Sequence, residues 1–304
     1  MSIELDVFTS ERGKCEVFRA YQSVLARWTV PYAEIDVPTR FGTTHVIVNG
    51  PKDAPPVVLL HALFATATSW YRTAETLSEE YRVYAVDIVG EANKSRPTRP
   101  MLSLDDFLAW FTELIDSLAI PKMFLVGNSF GAFIAAYYAM RLPHRVCKLV
   151  LVGPAATIHA MPAFYFHMFI PKALYLLSPW LPGHRRVVQY SVDWMHAGLA
   201  QDPVWTELFL LTMQYGRMTT RVFPRVYTKE ELSQIRTRVL LVLGNRERIY
   251  PVEAAVRGAR RLMPNIEIEI IPDGHHITAL ARPELVNNAI VRFFKNNAAG
   301  LDSA

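Results

Sequence analysis

Short apolar runs and segments with apolar residues at helical spacing alternate along most of the chain. Short runs are typical of buried strands, whereas a repeat near 3.6 residues is typical of helices. The predicted strands are Ala33–Val37, Thr43–Val48, Val57–Leu60, Tyr81–Val86, Met123–Val126, Lys148–Val152, Val239–Leu243 and Ile266–Ile271. The predicted helices are Glu16–Trp28, Leu104–Ala119, the segment after Ser129 to Met140, Val252–Leu262 and Glu284–Phe294. This alternation predicts an α/β fold with a mostly parallel, doubly wound sheet.

The alternation stops after Gly153-Pro154 and resumes near residue 236. The segment between contains no comparable strand run and is dense in Met, Phe, Tyr and Trp, so we expect an inserted helical cap over the sheet. The predicted division is an N-terminal helical segment (1–32), a core (33–154 and 236–296), the cap (155–235) and a loose tail (297–304).

Composition narrows the function classes. At 304 residues, with 51% hydrophobic and 20% charged residues, the chain is long enough and apolar enough for a globular protein with a sizeable core. The net charge of +4 is spread out without a long Lys/Arg block, which argues against nucleic-acid binding. Cys15 and Cys147 are far apart in sequence, and the histidines lack partners at metal-ligand spacing, so we expect no disulfide, metal or cofactor.

The N-terminus and the apolar segments also bear on location. The first residues are charged early and lack the apolar core of a signal peptide. The longest apolar stretch, 160–181, is interrupted by three prolines and Lys172, so no integral membrane segment is predicted. We expect a cytoplasmic protein.

The first candidate for chemistry is Ser129. The strand Met123–Val126 runs into Gly127-Asn128-Ser129-Phe130-Gly131, and an alanine-rich helix follows. In a strand, turn and helix, G-x-S-x-G places a serine on a strained turn with its hydroxyl exposed above the sheet. The pattern therefore predicts that Ser129 is a nucleophile.

A serine nucleophile needs a base, and the base is best held by a carboxylate. In this architecture the expected chain order is serine, acid, histidine, with the last two following later strands. Glu247 follows one such strand, and Asp273, His275 and His276 follow the next. We favour Glu247 as the acid, because a turn carboxylate such as Asp273 more often caps its own backbone. Counting back from the start of the last helix favours His276 over His275 as the base.

Two backbone N–H groups are expected to stabilise the oxyanion that forms on attack. One would come from Phe130, directly after the nucleophile, and the other from the turn after Val57–Leu60, with Leu63 as the favoured donor. His61, in the same turn, is expected to brace the loop.

With these residues in place the chain resembles the α/β-hydrolase family from about Ala33 to Phe294, and within it the bacterial carboxylesterase-type members. The resemblance is carried by the segments VVLLHALFATATSW, YAVDIVGEANKS, VGNSFGA, LLVLGNRERIYP and IPDGHHITALARPE. It implies a Ser129, His276, Glu247 triad, an oxyanion hole from Leu63 and Phe130, and a cap that shapes the acyl pocket. Three residues depart from the usual family pattern: Ala62 where glycine is usual, Glu247 for aspartate, and His275 for a small residue.

The function expected from these features is hydrolysis of a small carboxylic ester with an apolar acyl or alcohol group. C–C bond hydrolysis, thioester hydrolysis and perhydrolysis stay open, because the same fold and triad support them. A non-catalytic receptor that binds a small molecule under the cap is the alternative from another class. A homodimer is a further open alternative for the assembly.

Overall fold

The computed structural model describes residues 4–177, 184–197, 199, 202–263 and 266–296. The tail expected at 297–304 lies outside the described residues. Within them, nine strands form one sheet. These are β1 (Tyr32–Thr39), β2 (Gly42–Asn49), β3 (Pro56–Leu60), β4 (Arg82–Val86), β5 (Arg96–Pro97), β6 (Met123–Asn128), β7 (Val146–Val152), β8 (Arg238–Gly244) and β9 (Glu267–Ile271).

The strand order is β1-β2-β4-β3-β6-β7-β8-β9, with β5 paired to β2. The pairs β1/β2 and β2/β4 are antiparallel, and from β4 onward the neighbouring strands are parallel. The mostly parallel sheet predicted from the sequence is therefore confirmed. All six residues of β6 are buried, as expected for a central strand covered on both faces.

The helices lie between the strands in sequence. They are α1 (Glu11–Leu25), α2 (Tyr71–Leu77), α3 (Leu104–Ser117), α4 (Phe130–Arg141), α5 (Pro162–Phe164), α6 (Ile170–Leu177), α7 (His184–Met195), α8 (Pro203–Tyr215), α9 (Lys229–Leu232), α10 (Val252–Leu262), α11 (Thr278–Ala281) and α12 (Pro283–Lys295). A π-helical turn, Tyr165–Phe169, joins α5 to α6. No helix in the described ranges is long and apolar enough to cross a membrane.

The first helix differs from its predicted bounds. It begins at Glu11, earlier than the expected Glu16, because the Ser10 side chain caps it by accepting the Gly13 N–H. It ends at Leu25, before Trp28. Periodicity could not place the start, since the first turn is polar and contributes little to the apolar stripe.

The segment between β7 and β8 contains α5 to α9, and its helix α8 packs against α1. Helix α8 is capped by Asp202, whose side chain accepts the Val204 N–H, and it buries Trp205, Phe209 and Thr212. After α8, Gly216 pairs with Phe8 in an isolated β-bridge. Helix α8 is thus held from both the N-terminal segment and the core, which fixes its position beside the loops described next.

Candidate active site

Ser129 occupies the turn between β6 and α4 in a strained conformation. Its φ of 50° lies in the left-handed region that side chains rarely adopt. The neighbouring strand holds this backbone, because the Ser129 N–H donates to the Val152 carbonyl at 2.9 Å. A Cβ on Gly131 would lie 2.2 Å from the Leu60 carbonyl oxygen, so only glycine allows the start of α4 to approach the end of β3 this closely.

His276 lies within hydrogen-bond distance of Ser129. The Nε2 atom of His276 is 2.8 Å from Oγ of Ser129, and its Nδ1 atom is 2.8 Å from Oε2 of Glu247. The side chains of His276 and Glu247 are 2% and 0% exposed. The structure therefore brings together all three residues that the sequence singled out, in one buried hydrogen-bonded row.

Two loops must meet to form this row. His276 follows β9 and Glu247 follows β8, and the loops contact each other where the Arg246 N–H donates to the Gly274 carbonyl at 2.8 Å. Glu247 is fixed within its own loop, since Oε1 accepts the N–H groups of Arg248 and Ile249. Only Oε2 is left for His276. An ionised carboxylate can only accept, so His276 donates from Nδ1 and presents the Nε2 lone pair to the Ser129 hydroxyl.

The rival residues lie elsewhere. The Nδ1 atom of His275 accepts the Ile277 N–H at 3.2 Å, and its ring packs edge to face against His196 with centroids 4.7 Å apart. Asp273 pairs with Arg246 and Arg282 at the surface. Within the described part of the chain, neither His275 nor Asp273 forms a hydrogen bond with Ser129.

The two packed histidines are neutral at pH 7. Burial, reinforced by the neighbouring His196 and His276, lowers the pKa of His275 to about 3. Burial also lowers the pKa of His196 to about 4, although the hydrogen bond to the Val192 carbonyl works in the opposite direction. A positive charge therefore does not accumulate beside His276.

The turn that carries Leu63 is anchored beside Ser129. The Ala62 carbonyl accepts two hydrogen bonds, from Nδ1 of His61 at 2.8 Å and from the Ala65 N–H at 3.0 Å. Since the Leu63 N–H belongs to the same peptide plane as this carbonyl, it points the opposite way. Within the described ranges it donates no hydrogen bond to the protein. Phe130 begins α4, so its N–H has no acceptor within the helix.

His61 braces this turn to the core. Its Nε2 atom accepts the Ile88 N–H at 2.9 Å while Nδ1 donates to Ala62. Complete burial lowers the pKa of His61 and keeps the ring neutral, which that donor and acceptor pair requires. His61 is thus a structural crosslink between the loops that follow β3 and β4.

Comparison with known proteins bears on the family and the fold. Residues 55–187 match the family described as the alpha/beta hydrolase fold. The Bacillus subtilis (strain 168) protein described as the uncharacterized carboxylesterase nap is 33% identical over 287 residues, covering 91% of each chain. This chain belongs to the α/β-hydrolase family.

Two further matches extend over nearly the full length of this chain. Carboxylesterase YbfK from the same Bacillus strain is 32% identical over 294 residues, which cover 94% of this chain and 96% of that protein. The crystal structure of naproxen esterase from Bacillus subtilis matches with a TM-score of 0.84 at 32% identity, covering 94% of this chain and 99% of the other. The resemblance that the sequence motifs indicated is confirmed at the level of the family and the fold.

The departures from the usual α/β-hydrolase pattern are accommodated locally. Ala62 has a negative φ, so its turn does not need a glycine at that position. The longer glutamate reaches His276 at normal hydrogen-bond distance. His275 finds a buried place against His196.

Some residues next to the site were missed by sequence reasoning. Glu91 and Thr212 both hydrogen-bond Phe64, the residue after Leu63. Glu91 lies inside the segment YAVDIVGEANKS, and its place in a segment that carries the family resemblance was an available signal. Thr212 lies in an apolar helix far along the chain, and no sequence pattern links it to the turn. Among the described residues, no group of three or more His, Cys, Asp or Glu is arranged to hold a metal ion.

Proposed function

We propose that this α/β-hydrolase is a carboxylesterase that uses Ser129 as nucleophile, His276 as general base and Glu247 as the residue that orients His276. The observation that carries the proposal is the unbroken row from Ser129 Oγ through His276 to Glu247, with both hydrogen bonds at 2.8 Å. The two full-length relatives named as carboxylesterases support the reaction class.

The geometry supports a two-step reaction. His276 Nε2 takes the hydroxyl proton as Ser129 Oγ attacks the ester carbonyl, and Glu247 stabilises the imidazolium that forms. The proton then passes to the leaving alcohol as the C–O bond breaks, which leaves an acyl group on Ser129. Water, deprotonated by the same histidine, attacks the acyl-enzyme and releases the carboxylic acid.

The oxyanion of each tetrahedral intermediate would be held by the N–H groups of Leu63 and Phe130. Their support is that the Leu63 N–H points away from an anchored carbonyl and that the Phe130 N–H opens a helix, where the dipole favours negative charge. Both donors belong to backbone that hydrogen bonds and close packing hold in place. No side chain has to move to meet the developing charge.

For the substrate we propose a small ester with an apolar acyl or alcohol group, bound under the segment 155–235 acting as a cap. That segment supplies buried apolar side chains such as Met161, Phe164 and Met168. Ligand pockets are lined mainly by side chains of this kind. One structural relative is named as an esterase of naproxen.

The proposal is tested by covalent labelling and turnover. A fluorophosphonate probe should label the wild type but neither Ser129→Ala nor His276→Ala, and only the wild type should hydrolyse p-nitrophenyl esters. A series from acetate to octanoate would rank acyl chains, and parallel thioester and C–C substrates would test the other chemistries. An unlabelled wild type without turnover would contradict the catalytic assignment and favour a receptor.

A further inference from the structure

The turn that carries Leu63 is built around a residue in an unfavourable conformation. The Ala65 N–H donates to the Ala62 carbonyl and closes a four-residue turn, with Leu63 and Phe64 at its centre. Phe64 has a φ of 61°, whereas that of Leu63 is negative. This is the pattern of a type II turn, whose third position normally takes glycine or asparagine. Phenylalanine keeps such a conformation only where its surroundings impose it.

Both backbone polar groups of Phe64 are held by buried side chains. Its N–H donates to Oε2 of Glu91 at 3.2 Å, and its carbonyl accepts a hydrogen bond from the Thr212 hydroxyl. Glu91 is 3% exposed and Thr212 is 1% exposed. Hydrogen bonds sheltered from water in this way resist competition by solvent, and one of them uses a carboxylate acceptor.

The two holding residues come from different parts of the chain. Glu91 follows β4 in the core, whereas Thr212 lies in α8, between β7 and β8. The same parts meet again nearby, because the Thr219 hydroxyl donates to the Gly90 carbonyl at 2.9 Å. A Cβ on Gly216 would lie 2.9 Å from Cβ of Ala92, so the chain after α8 rests directly on this loop.

We propose that Glu91 and Thr212 are positioning residues that clamp Phe64 and thereby aim the Leu63 N–H at the substrate carbonyl oxygen. The inference rests on the proposed esterase function and deepens it. Glu91 occupies the Phe64 N–H, so Leu63 supplies the donor from this turn. Without the clamp, Phe64 would relax toward negative φ and the turn would rotate, which removes the Leu63 N–H from the developing oxyanion. The oxyanion hole is therefore completed across the contact between α8 and the core.

The Thr212 arm of the clamp is tested with matched variants. Thr212→Val keeps the shape but removes the hydroxyl, and Thr212→Ser retains the hydroxyl. We expect Thr212→Val to lower kcat about 10- to 100-fold with little change in KM. The reason is that a misplaced Leu63 N–H loses its hydrogen bond to the oxyanion, which exists only in the transition state. Thr212→Ser should recover most of that loss. Thr206→Val, the same change on the same helix where the hydroxyl bonds the Asp202 carbonyl, is the control and should leave kcat near the wild-type value.

Glu91 variants and the affinity for an inhibitor that occupies the oxyanion hole test the clamp independently of Thr212 kinetics. Glu91→Leu should lower kcat, and Glu91→Gln, which retains an acceptor oxygen, should lower it less. A trifluoromethyl ketone, which binds as an anionic adduct of the serine, should lose affinity for Thr212→Val by the same factor as kcat.

Two outcomes would overturn the clamp. One is a labelled, folded Thr212→Val enzyme with wild-type kcat and wild-type ketone affinity, and the other is a loss confined to KM. Either result would leave the esterase assignment standing. A wild-type protein that is neither labelled nor active would overturn both proposals.

Discussion

Oε2 of Glu247 lies 2.8 Å from Nδ1 of His276, while Oε1 of the same carboxylate accepts two N–H groups of its own loop. The hydrogen bonds within its own loop therefore orient the carboxylate, and Oε2 accepts the hydrogen bond from the imidazole. An aspartate on the same backbone would be one methylene shorter. The position thus fits a glutamate in geometry as well as in charge.

Replacing Glu247 tests this fit. Glu247→Gln should lower kcat by about 10³- to 10⁴-fold, because an amide can present its N–H to Nδ1 and favour the wrong tautomer of His276. Glu247→Asp should lose less. Steady-state kinetics would measure both, with Asp273→Asn as control, since Asp273 pairs with arginines and should be replaceable at little cost in kcat. If Asp273→Asn lost most of its kcat while Glu247→Gln stayed active, Asp273 would be the residue that orients His276.

Substitutions of the two adjacent histidines should differ clearly in their effect on ester turnover. His276→Asn should abolish ester turnover, whereas His275→Asn should keep most of it, because the asparagine oxygen can still accept the Ile277 N–H in place of Nδ1. Single-turnover acylation would measure the chemical step directly. Loss of acylation in His275→Asn alone would assign the base to His275.

A proline in place of Leu63 would remove one of the two N–H groups proposed for the oxyanion hole. Proline is favoured at the second position of a type II turn, so Leu63→Pro should keep the turn while deleting the N–H. We expect kcat to fall about 10²- to 10³-fold, the usual cost of an oxyanion-hole donor. Leu63→Ala, which shortens the side chain but keeps the N–H, is the matched control. Equal kcat in the two variants would mean that Leu63 is not a donor.

Gly131 should be intolerant of any side chain. Because a Cβ there would lie 2.2 Å from the Leu60 carbonyl oxygen, Gly131→Ala should reduce the free energy of unfolding by about 3 kcal/mol. Gly258→Ala is the control, since its Cβ would lie 3.2 Å from a side-chain methyl group of Ile158 and 3.7 Å from the Ile158 carbonyl oxygen, and alanine favours the helix. Urea unfolding would compare the two. Similar stability in both variants would show that the start of α4 can move away from β3.

Acid should destabilise the fold through His196 and His275. Their pKa values are about 4 and about 3 in the folded protein, against roughly 6.5 when unfolded. Between these limits the unfolded state binds more protons, so the free energy of unfolding falls as pH drops from about 6.5 toward 4. Each residue contributes on the order of 3 kcal/mol to this loss.

Thermal unfolding between pH 7 and pH 4 measures the effect. The His275→Asn variant should show a shallower decline of Tm with pH than the wild type. His144→Asn, at an exposed histidine, should follow the wild-type curve. Parallel curves for His275→Asn and the wild type would contradict the role of His275.

The strands were largely predictable, and the candidate site residues could be named from the sequence, because their signals are local. The helix Val252–Leu262 was predicted with its observed bounds. The start of α1 was placed wrongly, because a side-chain cap rather than the apolar repeat determines it.

What the sequence by itself determined is what repeats or lies within a few residues: the order of strands and helices, the glycine-flanked Ser129, and the carboxylate and histidine that follow later strands. Only the tertiary structure shows which of the neighbours His275 and His276 faces Ser129. The conformation of the loop after β9 directs the ring of His276 to Ser129 and that of His275 to His196. The tertiary structure also supplied the contacts of Glu91 and Thr212 with Phe64. Those residues are far apart in sequence, and only packing of α8 against the core brings them together.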